Sequence, residues 1–207
     1  MTGTRKRKGV LRIMTKKQHD LHILIAERLN EMRLPGDCQI LLDNACYANS
    51  KGRRQTLPVS TIDKRTRKSV YSWVDVAIIS RNNVVAILEI EESGIMARKI
   101  CGKIFAPALC GYCIPPGKEP VKMAKSVLFV QVLRDPDGIV KEEQKYEDRW
   151  KYLVSQIEKI LSIKSTGCSI SKYTLISGTL KEFGKEKGDK LKELIENHVQ
   201  VSARLEC

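Results

Sequence analysis

The chain has 207 residues, 42% of them hydrophobic and 29% charged, which suffices for one buried core and identifies a globular protein. Thirty-seven Lys and Arg face 24 acids for a net charge of +13, and two segments account for it: residues 1–18 carry +7 and residues 51–68 carry +6. A charge so localised suits a polyanionic partner, while 5% aromatics is too few for a platform that stacks splayed bases, so the composition favours a duplex backbone. With no run of about 18 apolar residues no membrane-crossing helix is expected. The start MTGTRKRKGVLRIM lacks the apolar stretch of a secretory signal. A cytoplasmic location is the expectation, with the seven cysteines as reduced thiols. Cys110 and Cys113 form the one close pair, and with the three histidines far from it they read as buried inert thiols rather than half a zinc site.

The spacing of Leu21, Leu24, Ile25, Leu29 and Met32 predicts an amphipathic helix from Lys16 to Met32, stopped by Leu34-Pro35-Gly36. Gln39 to Asp43 reads as a short strand. Asn44 to Ser69 is a long polar stretch that holds the second basic cluster, and a loop of that length in a compact domain is functional or mobile. Val70 to Ser80 and Val84 to Glu91 are β-rich runs around Arg81-Asn82-Asn83, the pattern of a hairpin closing at Asn82 and Asn83. Ile95 to Leu109 reads as a helix with Ile100, Ile104 and Leu109 on one side and Arg98, Lys99 and Lys103 on the other, with Pro107 in its last turn. Cys113 to Lys125 is a Pro-rich loop. Ser126 to Leu133 is continuously apolar, as a strand covered on both faces must be. Glu142 to Ile163 is a helix with Trp150, Leu153, Val154, Ile157 and Leu161 as its inward stripe; Lys172 to Ser177 is a strand and Asp189 to Val199 a final helix. The fold class is therefore α/β, a mixed β-sheet flanked by helices in a sandwich. The chain forms a single domain over residues 1–207: a basic N-terminal arm (1–15), a core (16–133) and a helix–strand–helix segment (134–207) that completes the sheet.

Chemistry concentrates in the hairpin. Strand alternation turns Glu89 and Glu91 to one face, and antiparallel pairing places Asp75 near the opposing position of residue 90. Three carboxylates on a half-buried sheet repel one another and lose hydration, and a divalent cation relieves both costs. Hard oxygen ligands suit Mg²⁺ in particular. The plain alternative is a solvated strand edge, with Asp75 paired to a nearby Arg or Lys.

On these residues the sequence resembles the PD-(D/E)xK nuclease superfamily, the restriction endonuclease-like group that includes junction resolvases. The resemblance covers about residues 16–133 and places the motif Asp on Asp75, the acid on Glu89 and the Lys on Glu91. Val74 stands in place of the motif Pro, and Glu91 makes this the Glu-x-Glu variant. A literal Pro136-Asp137 with Glu143-Gln144-Lys145 also occurs, but only six residues separate Asp137 from Glu143 and that acid falls in a predicted helix. The resemblance implies a restriction endonuclease-like sandwich and Mg²⁺-dependent hydrolysis of phosphodiesters in duplex DNA, with Asp75 and Glu89 as metal ligands, Glu91 orienting the attacking water and Lys99 or Lys103 supplying the missing cation. It also points to Glu27 on the first helix as a further metal ligand, and to a homodimer, since two-strand cutting at a symmetric site takes two active sites. Lys51, Arg53, Arg54, Lys64, Arg65, Arg67 and Lys68 are the DNA-facing candidates, with Arg53 and Arg54 placed to reach guanine edges. A junction-type nuclease, a catalytically inactive nucleic-acid-binding module of the same fold and a basic scaffold for RNA remain as alternatives.

Overall fold

A computed structural model describes residues 19–48, 55–92, 97–135, 144–162 and 169–205, with the backbone alone for 144–149 and 203–205. The elements are α1 (Asp20–Asn30), β1 (Cys38–Leu42), a 3₁₀ turn (Asn44–Cys46), β2 (Leu57–Ser60), β3 (Val70–Val74), β4 (Val76–Ser80) and β5 (Asn83–Glu91). They continue with α2 (Ala97–Ala108), β6 (Tyr112–Cys113), β7 (Val121–Arg134), α3 (Gln144–Leu161), β8 (Ile170–Gly178), α4 (Leu180–Phe183) and α5 (Glu186–Leu205). The eight strands form one curled mixed sheet in the order β1-β4-β5-β7-β6-β2-β3, with β8 also on β7. Helices flank it: α5 packs on β5, β7 and β8, α1 lies against β1 and α5, α2 covers β3, and α3 lies on β8. The expected mixed α/β sheet is therefore present.

Burial explains the central strands. Val84 to Leu88 and Val127 to Val130 are all buried, so both faces of β5 and β7 are covered, as their unbroken apolar sequence requires. β7 pairs in parallel with β5 and with β8, and its first two residues pair antiparallel with β6. On α1 the buried stripe is Leu21, His22, Ile25, Ala26 and Leu29. On α3, Ile157 is buried and Trp150, Leu153, Val154 and Leu161 pack at the margin of the core. The α1 and α4–α5 layers are joined by Arg28, whose Nη2 donates to Gly184 O at 2.7 Å. Gly188 lies against the same junction, where a Cβ would stand 2.2 Å from Phe183 O.

Several boundaries differ from the sequence expectation. The run Val70 to Ser80 breaks at Asp75: β3 turns away to pair with β2, while β4 pairs with β1 and β5. The hairpin closes over Arg81-Asn82, not Asn82-Asn83, because Ser80 pairs with Asn83; φ is +48° at Arg81 and +60° at Asn82, the two-residue turn whose twist fits a right-handed sheet. The stretch 44–69 contains a strand, β2, whose Leu57, Val59 and Ser60 are fully buried. Likewise β7 starts at Val121, inside the expected loop, and the last helix begins three residues earlier and runs on to Leu205. Cys110 and Cys113 are buried free thiols, and burial pushes them up to about 11 and about 12 respectively. Among the described residues no helix is long and apolar enough to cross a membrane. The basic N-terminal arm, Lys51, Arg53, Arg54 and the Pro136-Asp137 to Glu143 segment lie outside the described residues.

Candidate metal centre

Sheet register assembles the site. Val76 pairs with Leu88, so the next step outward sets Asp75, at the bend between β3 and β4, across from Glu89. The bend frees the Asp75 carboxylate from the strand ladder, and its Oδ2 accepts the Ile90 N–H at 2.6 Å. Glu89 in turn pairs with Gln131 on β7, forming a row of three polar positions across an otherwise apolar sheet. From α2, Lys103 brings its Nζ to 2.5 Å from Glu89 Oε2. Gln131 fixes that helix one turn earlier: its Nε2 donates to Ile100 O at 3.2 Å, while its Oε1 accepts the Tyr173 hydroxyl at 2.6 Å.

The charges are tightly coupled. Glu89 is only 2% exposed, and among the described residues its Oε1 has no hydrogen-bond partner. Burial, reinforced by the Asp75 charge, pushes the Glu89 carboxyl well above the usual range despite Lys103. Burial also works to raise Asp75, but the His22 ring, the Lys103 ammonium and the Ile90 amide outweigh it and hold Asp75 below the usual carboxylate range. Burial alone would lower Lys103; Glu89, Asp75 and Glu91 more than reverse this and keep it charged. Two adjacent carboxyls thus have opposed shifts: Asp75 is held ionised between His22 and Lys103, while Glu89 takes up a proton more readily.

His22 is the residue that sequence reasoning missed. It lies on the buried stripe of α1 with Nε2 3.7 Å from Asp75 Oδ1 and Nδ1 2.9 Å from Glu92 Oε1. Burial opposes its protonation, but those two carboxylates overcome it and raise the ring above its ordinary value. Glu92 also accepts the backbone N–H groups of Leu21 (2.9 Å) and His22 (3.2 Å), satisfying free donors at the N-terminus of α1, where a negative charge is favoured. Asp43 adjoins as well: its N–H donates to Asp75 O at 2.9 Å, and its carboxyl is raised by burial and by the Asp75 charge. A histidine at i relative to Ile25, Ala26 and Leu29 was the available signal for His22.

Of the residues expected at this site, Asp75, Glu89 and Lys103 are brought together. Glu91 lies one strand step away, its carboxylate 3.5 Å from Lys99 Nζ, so Lys99 serves Glu91 and Lys103 serves Glu89. Glu27 is a correction: it is exposed on the solvent side of α1, because five residues of helix separate it from His22, and the side chain that α1 turns to Asp75 is His22. Lys64, Arg65, Arg67 and Lys68 are all exposed at the tip of the β2–β3 hairpin.

The donor set fits magnesium. Mg²⁺ is held by one or two carboxylates, the rest of its shell being water and phosphate, and Asp75 with the unpartnered Oε1 of Glu89 supplies that pair. A second group, His19, His22 and Glu92, has ligand atoms all within 4.8 Å of one another, and its nitrogens suit a softer ion. There, however, Glu92 Oε1 is already occupied by two amide donors and the His22 ring. No protein-family model, curated protein or solved structure matches the chain.

Proposed function

We propose that this protein is a Mg²⁺-dependent endodeoxyribonuclease of the restriction endonuclease-like type, acting on duplex DNA. The observation that carries the reading is Glu89: a carboxylate 2% exposed, one oxygen unpartnered, beside a second carboxylate held ionised. In the metal-free protein a proton on Glu89 relieves the repulsion from Asp75, and a divalent cation would take its place. Asp75 and Glu89 would hold the magnesium, which when bound lowers the pKa of a water and neutralises charge on the phosphate. His22 orients Asp75 and keeps it ionised. Lys103, its side chain 35% exposed and its ammonium against Glu89, would balance the charge of a phosphate oxygen and hold the attacking water, the task the motif lysine has in the resembling family. Glu91 keeps Lys99 at the rim. The exposed Lys64, Arg65, Arg67 and Lys68 would dock the backbone. Cutting both strands of a symmetric site calls for a two-fold dimer.

The test is plasmid DNA with and without magnesium, using the parent and Asp75→Asn, Glu89→Gln and Lys103→Ala. Metal-dependent cleavage lost in all three is the expected result. Cleavage by Asp75→Asn and Glu89→Gln at the parent rate would refute the site.

A further inference from the structure

Aromatic residues are scarce in the whole chain, yet two of them stand exposed side by side on β3. Tyr71 and Trp73 are each 55% exposed, while Val74, Leu57 and Val59 bury the inner face of the same ribbon. Alternation along the strand sets Tyr71 and Trp73 on one outer face. Toward the tip the ribbon carries exposed Ile62 and the cations Lys64, Arg65, Arg67 and Lys68, with Asp63 the one acid among them. The tip is braced from within: Ser69 Oγ donates to Lys64 O at 2.8 Å, Thr66 Oγ1 donates to Ser69 Oγ at 2.8 Å, and Ser60 Oγ donates to Lys64 O at 3.3 Å. Toward its base, β3 runs directly into Asp75, two residues beyond Trp73.

We propose that the β2–β3 ribbon is a preformed arm that stacks Tyr71 and Trp73 on unpaired bases of a DNA strand while its tip grips the backbone. Trp73 lies across from the buried Pro58 of β2, yet more than half of the surface of both aromatics stays in water, more than packing on that ribbon accounts for. Flat rings beside a row of cations match the two parts of an unpaired nucleotide, the π face of the base and the phosphate. A fully paired duplex offers the rings a base face only at its two ends, which both test DNAs share, so the surface selects DNA that is locally opened or distorted along its length. A second copy of the chain is the other candidate for an apolar edge, but four like charges at each tip repel it. That the unpaired bases lie next to the scissile phosphate rests on the nuclease reading above: two strand residues span about 7 Å, the height of two stacked bases.

The experiment uses the full chain in EDTA, where no cleavage intervenes. The chain has two tryptophans, and a Trp150→Phe background leaves Trp73 as the sole indole emitter. This protein is titrated with a short fully paired duplex and with the same duplex carrying an internal three-base bubble. The bubble is expected to quench Trp73 emission and to bind more tightly than the paired duplex. In the Trp150-containing parent, Tyr71→Ala with Trp73→Ala should weaken bubble binding by roughly ten- to a hundredfold, measured by anisotropy of labelled DNA, and Trp73→Phe should retain it. Equal affinity for the two DNAs, an unchanged affinity in the double variant, or parent self-association abolished by that variant would each overturn the proposal. Magnesium-dependent cleavage of the same DNAs separates the two readings. Asp75-dependent cutting with no Trp73 effect leaves the nuclease and removes the arm; Trp73-dependent binding with no cutting leaves the arm and removes the nuclease.

Discussion

Replacing Glu89 by Gln should stabilise the metal-free protein while abolishing its cleavage. Ionising Glu89 in the metal-free parent costs several kcal/mol of hydration, the reason its carboxyl is raised and holds a proton more readily than an ordinary one. Ionisation also sets it against Asp75, and as a general scale two unit charges about 4 Å apart at an effective dielectric of about 20 repel by about 4 kcal/mol. The opposing attraction comes from Lys103, whose side chain is 35% exposed; water screens that pair, and the ammonium can turn outward once Glu89 is neutral. The amide keeps the shape and removes the charge, so a net gain of about 1–3 kcal/mol is expected, equivalent to about 3–9 °C in melting temperature for a domain of this size. The assay is thermal unfolding in EDTA at mildly alkaline pH, repeated with magnesium. Magnesium at a hundred times its Kd should stabilise the parent by about 2.7 kcal/mol and leave the variant unmoved. A variant that melts below the parent in EDTA would show that the Lys103–Glu89 pair stabilises on its own account, and the reasoning that a cation is needed there would fall.

Four further outcomes follow from the described contacts. His22→Gln should lower cleavage by about ten- to a hundredfold, the usual effect of removing a group that orients a metal ligand; full activity in a kinetic comparison would show that Asp75 needs no such support. His198 is held below its ordinary value of 6.5 first by burial, so the unfolded chain takes up its proton more readily and stability falls as pH drops through 6.5, by at most about 1.4 kcal/mol per pH unit; urea midpoints across that range should flatten in His198→Gln, and parallel curves would contradict it. Replacing Lys64, Arg65, Arg67 and Lys68 by Ser should reduce the slope of log affinity against log salt by about two to four, as expected for up to four lost phosphate contacts, and an unchanged slope would move DNA docking elsewhere. Gly188→Ala forces a Cβ to within 2.2 Å of Phe183 O and should cost about 2 kcal/mol; unfolding at the parent temperature would show that the α4–α5 junction yields freely.

What the sequence discloses here depends on range. The long helices α1, α2, α3 and α5 and most of the strands β5, β7 and β8 are readable because their apolar patterns are long and local, whereas the four-residue α4 is too short to show one. β2 is not, because Leu57-Pro58-Val59-Ser60 is four residues long and sits in polar surroundings; its burial comes from β3 and β6, partners that periodicity does not identify. The break at Asp75 is equally hidden, since VYSWVDVAIIS is a β-rich run with no Gly or Pro to mark an end and only the competing partners on either side split it. Asp75, Glu89 and Lys103 could be named from one hairpin and the helix after it. His22 could not, because a single histidine in an apolar stripe has the same pattern whether it packs or orients a carboxylate. The aromatic pair was obscured by averaging over the chain.

β7 sets the order in which this protein can be made. Phe129 pairs with Ile87 on one side and Tyr173 on the other, each more than forty residues away in the chain, and both pairings are parallel, so neither can form through a tight turn. Until β8 has been synthesised, most of β7 keeps an unpaired backbone edge along a mainly apolar strand, a template for adhesion between nascent chains. Exposure to adhesion during synthesis is the consequence of placing a central strand between two distant partners.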